Sequence, residues 1–243
     1  MYKFDTHIHT KYSPCSNLEI KDILDLAEEH DLHTIFVRDH NTCDGTLRAA
    51  ELSRRYNVNV VRSLEAKTQF GEISIDYLTV KNCYELMKIK KKDAFDFIKL
   101  SEKRNELKEN NKELIVGLMH PYSGGIRGGF DFEALYKTGY LYSYTGIINF
   151  FDYTEINGAC MKVEENKKAI ELAKKFDLSV VYGSDSHFKS QIGKLYSMTK
   201  TEDIRQAIVD KKVINPDVSD INYKSSIIYR IKSSIIKAIP LLK

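Results

Sequence analysis

The sequence predicts an α/β protein organised as a small closed or nearly closed barrel, on three observations. Short apolar strands alternate with helix-periodic segments along most of the chain, a pattern of βα units with parallel pairing. About six or seven such units fit within roughly 215 residues, which suits a barrel better than an open sheet, although alternation alone does not separate the two. Of the 7 histidines, His7, His9, His40, His120 and His187 fall at or near the predicted carboxyl ends of strands. That edge is where parallel α/β folds build their sites.

Lys3–His9 is the first strand. Ser16-Asn17-Leu18-Glu19 has the S-x-x-E spacing of a capping box, and Leu18–His30 follows with helical periodicity. His33–His40 is the second strand and Gly45–Tyr56 a helix. Asn59–Thr68 and Glu72–Val80 are the third and fourth strands. Lys88–Asn111, dense in Lys and Glu with Phe95, Ile98 and Leu107 as apolar punctuation, reads as one exposed helix. Leu114–Pro121 is a strand, Ser123–Gly129 a glycine-rich loop and Asp131–Thr138 a short helix. Phe151–Asn157 is a strand. Val163–Phe176 is a helix with Ala169, Leu172, Ala173 and Phe176 on one face. Ser179–His187 is the last clear strand and Thr201–Lys211 the last core helix.

Residues 1–215 therefore form the barrel domain and 216–243 a basic amphipathic tail. After Asp220 there is no acidic residue, whereas Lys224, Arg230, Lys232, Lys237 and Lys243 are basic. Ile227, Ile228, Ile231, Ile235, Ala238 and Ile239 recur at helical spacing. The reading adopted is a helix docked on its own barrel or on a second subunit; peripheral contact with an anionic membrane is the alternative.

Composition narrows the class. The 243 residues are 42% hydrophobic and 29% charged, values of an ordinary globular protein. Lys+Arg exceed Asp+Glu by 37 − 34 = 3, too little to argue for nucleic acid. No apolar run reaches the ~18 residues of a membrane span, and the first residues lack a signal-peptide pattern. Cys15, Cys43, Cys83 and Cys160 form no C-x-x-C pair and read as reduced thiols of a cytoplasmic protein.

Asp5-Thr6-His7-Ile8-His9 is the sharpest motif. Alternate residues of a strand share a face, so two imidazoles one pleat apart reach one metal ion, with an acid behind them to orient a ring. Arg38-Asp39-His40, Ser63-Leu64-Glu65, His120-Pro121 and Gly183-Ser184-Asp185-Ser186-His187 end four further strands. Imidazole with carboxylate and no cysteine pairing favours Zn, Mn or Fe. A carboxylate such as Glu65 can bridge two ions, and a paired centre polarises a phosphoryl oxygen and generates a hydroxide nucleophile.

Taken in order, Asp5-Thr6-His7-Ile8-His9-Thr10, Asp39-His40-Asn41-Thr42, Glu65, His120-Pro121 and Gly183-Ser184-Asp185-Ser186-His187 followed by Ile192-Gly193 resemble the polymerase and histidinol phosphatase (PHP) family. The resemblance runs from Asp5 to about Thr199. It implies a distorted (β/α)7 TIM-like barrel with two or three divalent metal ions, usually hydrolysing phosphoesters. It also implies that His7, His9, Glu65 and Asp185 hold a first metal. Glu65 would bridge to a second with His120, and His40 and His187 would hold a third. Asp5 and Asp39 match positions behind the ligands. Members often carry an Asp or His that reaches the third metal where this chain reads Ser13-Pro14-Cys15. Cys15 is thus a candidate thiolate ligand, with lining of the pocket the alternative. Members also often supply a further His to the second metal; no His lies between His40 and His120, and Glu72 is the nearest acid.

The expected function is a metal-dependent phosphoesterase using a metal-bound hydroxide on a small phosphorylated substrate. The alternatives are C–N or C–O bond hydrolysis, as in amidohydrolases, and a non-catalytic metal-binding module. Asp185 and His187 are the candidates for proton transfer. Arg127, framed by glycines 124, 125, 128 and 129, is the candidate phosphate contact. Lys67 and Arg38 share strand parity with Glu65 and His40 and read as solvated charges at the barrel rim, with phosphate contact the alternative.

Overall fold

The computed structural model describes residues 1–92, 94–123, 129–139, 146, 150–160 and 162–222, with residues 228, 231, 232 and 235. The loop positions 124–128, including Arg127, and most of the tail lie outside the described residues.

The chain folds around one sheet of 8 strands. These are β1 (Tyr2–Ile8), β2 (Leu32–Val37), β3 (Asn59–Thr68), β4 (Gly71–Asp76), β5 (Ile115–Leu118), β6 (Tyr153–Asn157), β7 (Ser179–Gly183) and β8 (Ser197–Thr199). Their order is β7-β6-β5-β4-β3-β2-β1-β8. Pairing is parallel at β1/β2, β2/β3, β5/β6 and β6/β7. It is antiparallel at β3/β4, β4/β5 and β1/β8. The uniform parallel pairing expected from alternation fails at β4 for a local reason. Only Gln69 and Phe70 separate β3 from β4, too few for a crossover, so the chain turns back as a hairpin. Past β7, the amide of His9 donates to the Ser186 carbonyl (3.0 Å) and that of Ser186 to the His7 carbonyl (3.2 Å). These bonds join the ends of β1 and β7 and nearly close the distorted barrel.

Helices α1 (Ile20–Glu29), α2 (Asp44–Leu52), α3 (Val80–Ile89), α4 (Phe97–Asn110), α5 (Phe132–Lys137), α6 (Val163–Phe176) and α7 (Ile204–Val209) flank the sheet. Helix α1 buries Ile20, Ile23, Leu24 and Ala27 in a cluster with Ile35 and Val37 of β2. The expected capping box does not form: Glu19 occupies the cap position and no side chain caps α1. The Ser16 hydroxyl instead bridges the carbonyls of His9 and His187, 3.3 Å from each. The single exposed helix expected over Lys88–Asn111 is also corrected. Thr79 caps α3 through Asn82, the chain leaves the helical path, and Asp96 caps a fresh helix through Lys99. Helix α4 is half-buried, packing Phe97, Leu100 and Leu107 into the largest apolar cluster. No helix among the described residues is long and apolar enough to cross a membrane.

The barrel encloses a buried charge network, which overturns the rim reading of Arg38. This guanidinium is fully buried and paired with Asp76, its Nε 3.1 Å from Oδ1 and its NH2 3.1 Å from Oδ2. Tyr153 contacts Arg38 and donates to Asp76 Oδ2 (2.6 Å). Glycine at 117 makes the space: a Cβ there would overlap the Tyr153 phenol and the Ser74 hydroxyl. Lys67, in contrast, is exposed.

Candidate metal centre

The pleat of β1 brings His7 and the following His9 to the carboxyl end of the barrel, both fully buried. Their Nε2 atoms lie 3.0 Å apart, and His9 Nε2 is 3.0 Å from Asp185 Oδ1. The opposite ring nitrogens fix the tautomers. His7 Nδ1 lies 2.8 Å from Glu155 Oε1, a carboxylate that only accepts, so Nδ1 carries the proton. His187 Nδ1 lies 2.7 Å from the Asp185 carbonyl, with the same consequence. His9 Nδ1 contacts the Ser13 hydroxyl at 3.0 Å. Each arrangement leaves Nε2 facing the centre, as metal-ligating histidines are usually held.

Glu65 is the hub. Its Oε2 lies 3.3 Å from His7 Nε2, 3.4 Å from His9 Nε2 and 2.9 Å from His40 Nδ1, and its Oε1 lies 3.2 Å from His120 Nε2. Glu72, across the hairpin on β4, lies 3.6 Å from His40 Nδ1 and 3.4 Å from His120 Nε2. The hairpin thus supplies an acid where a further histidine is absent from the sequence. Asp185 and His120 both have positive φ, 53° and 25°, a backbone region that non-glycine residues rarely occupy and that recurs at functional sites.

Three sets of donor atoms lie mutually within 4.8 Å: His7, His9 and Asp185; His40, Glu65 and Glu72; and His9, Cys15, His40 and His187. Cations fit this arrangement. Glu72 Oε2 and His120 Nδ1 are buried without a hydrogen bond, and Glu65 Oε2 and His40 Nδ1 face each other at 2.9 Å without completing one, a costly state for protein atoms alone. Imidazole, carboxylate and one thiol are the donor types that transition metals take.

The charges are strongly coupled. Burial disfavours a charged His7, yet Glu155, Glu65 and Asp185 outweigh it and hold the imidazole well above its ordinary range. His40 is raised likewise, burial being overcome by Glu65, Cys15 and Glu72. Burial and the neighbouring His187 push His9 down to about 4, leaving it a neutral donor at neutral pH. Burial opposes ionisation of Glu65, but His40 and His7 hold it well below the carboxylate range. Protons and cations therefore compete for the same imidazoles.

Every candidate ligand converges: His7, His9, Cys15, His40, Glu65, His120, Asp185 and His187 all border these sets. Only Arg127 falls outside the described residues. His30 and His33 lie elsewhere, His33 beside Thr34 and Glu202. The acid behind the H-x-H strand acts differently from expectation. Asp5 Oδ1 accepts from the amides of His7 and Ser184, 3.0 Å each, and so fixes backbone rather than a ring. Burial pushes its carboxyl up to about 6. Asp39 accepts from the Thr10 amide (2.7 Å) and hydroxyl (2.6 Å), securing the turn after His9.

The residue the sequence reading missed is Glu155, on β6. It holds His7 Nδ1, accepts from Asn157 Nδ2 (2.8 Å) and faces Arg38 NH1 at 3.5 Å. Gly183 permits this approach, since a Cβ there would overlap both the Glu155 carboxylate and His7. The signal available was an acid facing inward on a strand adjacent to β7. Glu155→Gln is expected to weaken metal binding about 10–100-fold while the fold persists, as losses of groups that orient a ligand do. Metal titration of the variant, with circular dichroism as control, checks this.

A barrel with imidazoles and carboxylates gathered at its strand ends defines a class of metal-dependent barrel proteins. The chain belongs to the PHP domain family, whose profile matches residues 5–175, and a PHP-associated family matches residues 163–211. The uncharacterised protein MJ1587 of Methanocaldococcus jannaschii is 36% identical over 81 residues, 29% of this chain and 47% of that protein. The chain thus spans about half the length of that relative. PsfC of Pseudomonas syringae PB-5123 superposes with a TM-score of 0.65 at 14% identity, covering 98% of both chains. A two-domain Bacteroides vulgatus protein containing a predicted PHP-like metal-dependent phosphoesterase gives 0.59 at 16% identity, covering 87% of this chain and 63% of its own. At these identities the structural likenesses establish the fold.

Proposed function

We propose that the chain is a metal-dependent phosphoesterase acting on small phosphorylated molecules. The observation that carries the reading is Glu65 in contact with four imidazoles, His7, His9, His40 and His120, at one buried strand edge. Two or three divalent ions, zinc, manganese or iron, would be held by the three donor sets together with His120. Such ions polarise a phosphoryl oxygen and make a water molecule more acidic.

The chain's own residues bind, orient and shield. His7 and His9 are locked by Glu155 and Ser13. Among the ligand side chains, His40 and Glu72 are the more exposed, at 15% and 11%, so the phosphoryl group enters on their side. The near-complete burial of the other ligands favours a small substrate over a polymer. Asp185, with His187 Nδ1 3.4 Å from its Oδ1, takes up the proton of the attacking water. Arg127, outside the described residues, would contact the phosphate on the strength of its place in the glycine-rich stretch after His120. The sequence carries no recognisable nucleophile-elbow motif around a serine or cysteine, so a covalent enzyme intermediate is not expected.

The test is hydrolysis of a phosphomonoester and phosphodiester panel by metal-reconstituted protein in heavy-oxygen water. We expect one label in the phosphate product within a single turnover, loss of rate with chelator and return with Mn or Zn. Arg127→Ala should weaken catalysis by about 1.5–3 kcal/mol at unchanged metal content. Fully metallated protein that spares every phosphoester but cleaves an amide or lactone would overturn the phosphoesterase reading.

A further inference from the structure

We infer that Cys15 makes one corner of the centre a thiolate subsite that selects zinc over manganese, while the adjoining set of carboxylates is oxygen-rich and takes manganese. The inference rests on the metal-centre reading and adds to it that the subsites prefer different ions.

Cys15 is buried, with Sγ 3.0 Å from His187 Nε2. Because His187 Nδ1 donates to the Asp185 carbonyl, the Nε2 lone pair faces the sulfur, and the two atoms would both serve as ligands of one ion. His9 and His40 complete the set, all four donor atoms lying within 4.8 Å of one another.

The loop carrying Cys15 is built to hold it there. The Ser13 hydroxyl accepts from the His40 amide (2.9 Å) and contacts His9 Nδ1 (3.0 Å), and the Ser13 amide donates to the Thr10 carbonyl (2.9 Å). On the other side, Ser16 ties the loop to the His9 and His187 carbonyls. The two serines flanking Pro14-Cys15 are thus fastened to the backbone of three ligands. A cysteine that merely lined the pocket would need no such bracing. His40 borders both sets, and its neighbours on the other side, Glu65 and Glu72, offer carboxylate oxygens. Thiolate favours zinc and cobalt, whereas carboxylate-rich sites suit manganese.

The experiment uses cobalt, zinc and manganese on the full chain. Cobalt titration should produce a thiolate-to-cobalt absorption band that Cys15→Ser abolishes. Zinc should displace that band at concentrations about tenfold or more below those manganese requires, and in Cys15→Asp, where cobalt release is followed by its d–d absorption, the gap should narrow. Alkylation mapped by mass spectrometry on the unaltered protein gives a readout free of folding effects. Zinc should protect Cys15, and manganese at equal concentration should not. Full cobalt occupancy without the band, a band that survives in Cys15→Ser, or equal protection by both ions would overturn the inference and leave the metal centre standing. Absence of bound metal under all conditions would overturn both.

Discussion

Replacing Glu65 by glutamine is expected to lower phosphoester hydrolysis about 1000-fold or more, equivalent to about 4 kcal/mol of lost transition-state stabilisation. The amide keeps the shape of the side chain but loses the charge that faces His7, His9, His40 and His120. The amide carries no charge, so donor atoms of two subsites lose a shared anion at once. Metal content should fall with activity, and far-ultraviolet circular dichroism should stay unchanged, because β3 is held by its ladders to β2 and β4. A Glu65→Gln protein that keeps its metal and its rate would remove Glu65 from the centre. Asp185→Asn, which touches one set only, should cost less.

Arg38→Met is expected to cost about 3–5 kcal/mol of folding stability, read as a lowered midpoint in urea unfolding. The guanidinium is the cation inside the barrel that faces Asp76 at 3.0 Å and Glu155 at 3.5 Å. Removing it leaves Asp76 buried beside Tyr153 without its cation, and Glu155 with only His7 and Asn157. Because Glu155 also orients His7, metal affinity should fall alongside stability. The double variant Arg38→Met/Asp76→Leu should recover most of the stability, since replacing both partners of a buried pair is far milder than orphaning one. It should not recover metal affinity, since Glu155 remains without Arg38. A single variant within about 1 kcal/mol of the parent would show that the interior charges matter little.

What the sequence made legible follows from locality. His7 and His9 declare a common face through strand parity, and the positions of His40, His120 and Asp185 just past strand ends follow from where apolar runs stop, whereas Glu65, read as ending its strand, lies inside β3, which runs on to Thr68. The helix Val163–Phe176 and strand Asn59–Thr68 match their expected bounds because their periodicity is uninterrupted. The misses are long-range. Ser16 has a capping-box neighbour in sequence, but tertiary bonds to His9 and His187 claim its hydroxyl. Arg38 looks like a rim charge because arginines seldom lie buried, and its partner Asp76 comes from a strand whose direction depends on a two-residue turn. Glu155 carries no motif; its role appears only when β6 lies beside β7 and Gly183 leaves room for its carboxylate. Strand β8 is three residues long, too short for an alternation signal, yet it covers the free edge of β1.

The most direct measurement of the central claim is metal stoichiometry by elemental analysis, on protein purified without chelator and again after stripping and reconstitution. The account predicts about two to three divalent transition-metal ions per chain, falling in His7→Ala and in Asp185→Ala. Protein that holds no transition metal as purified, and takes up none on reconstitution while folded, would contradict it.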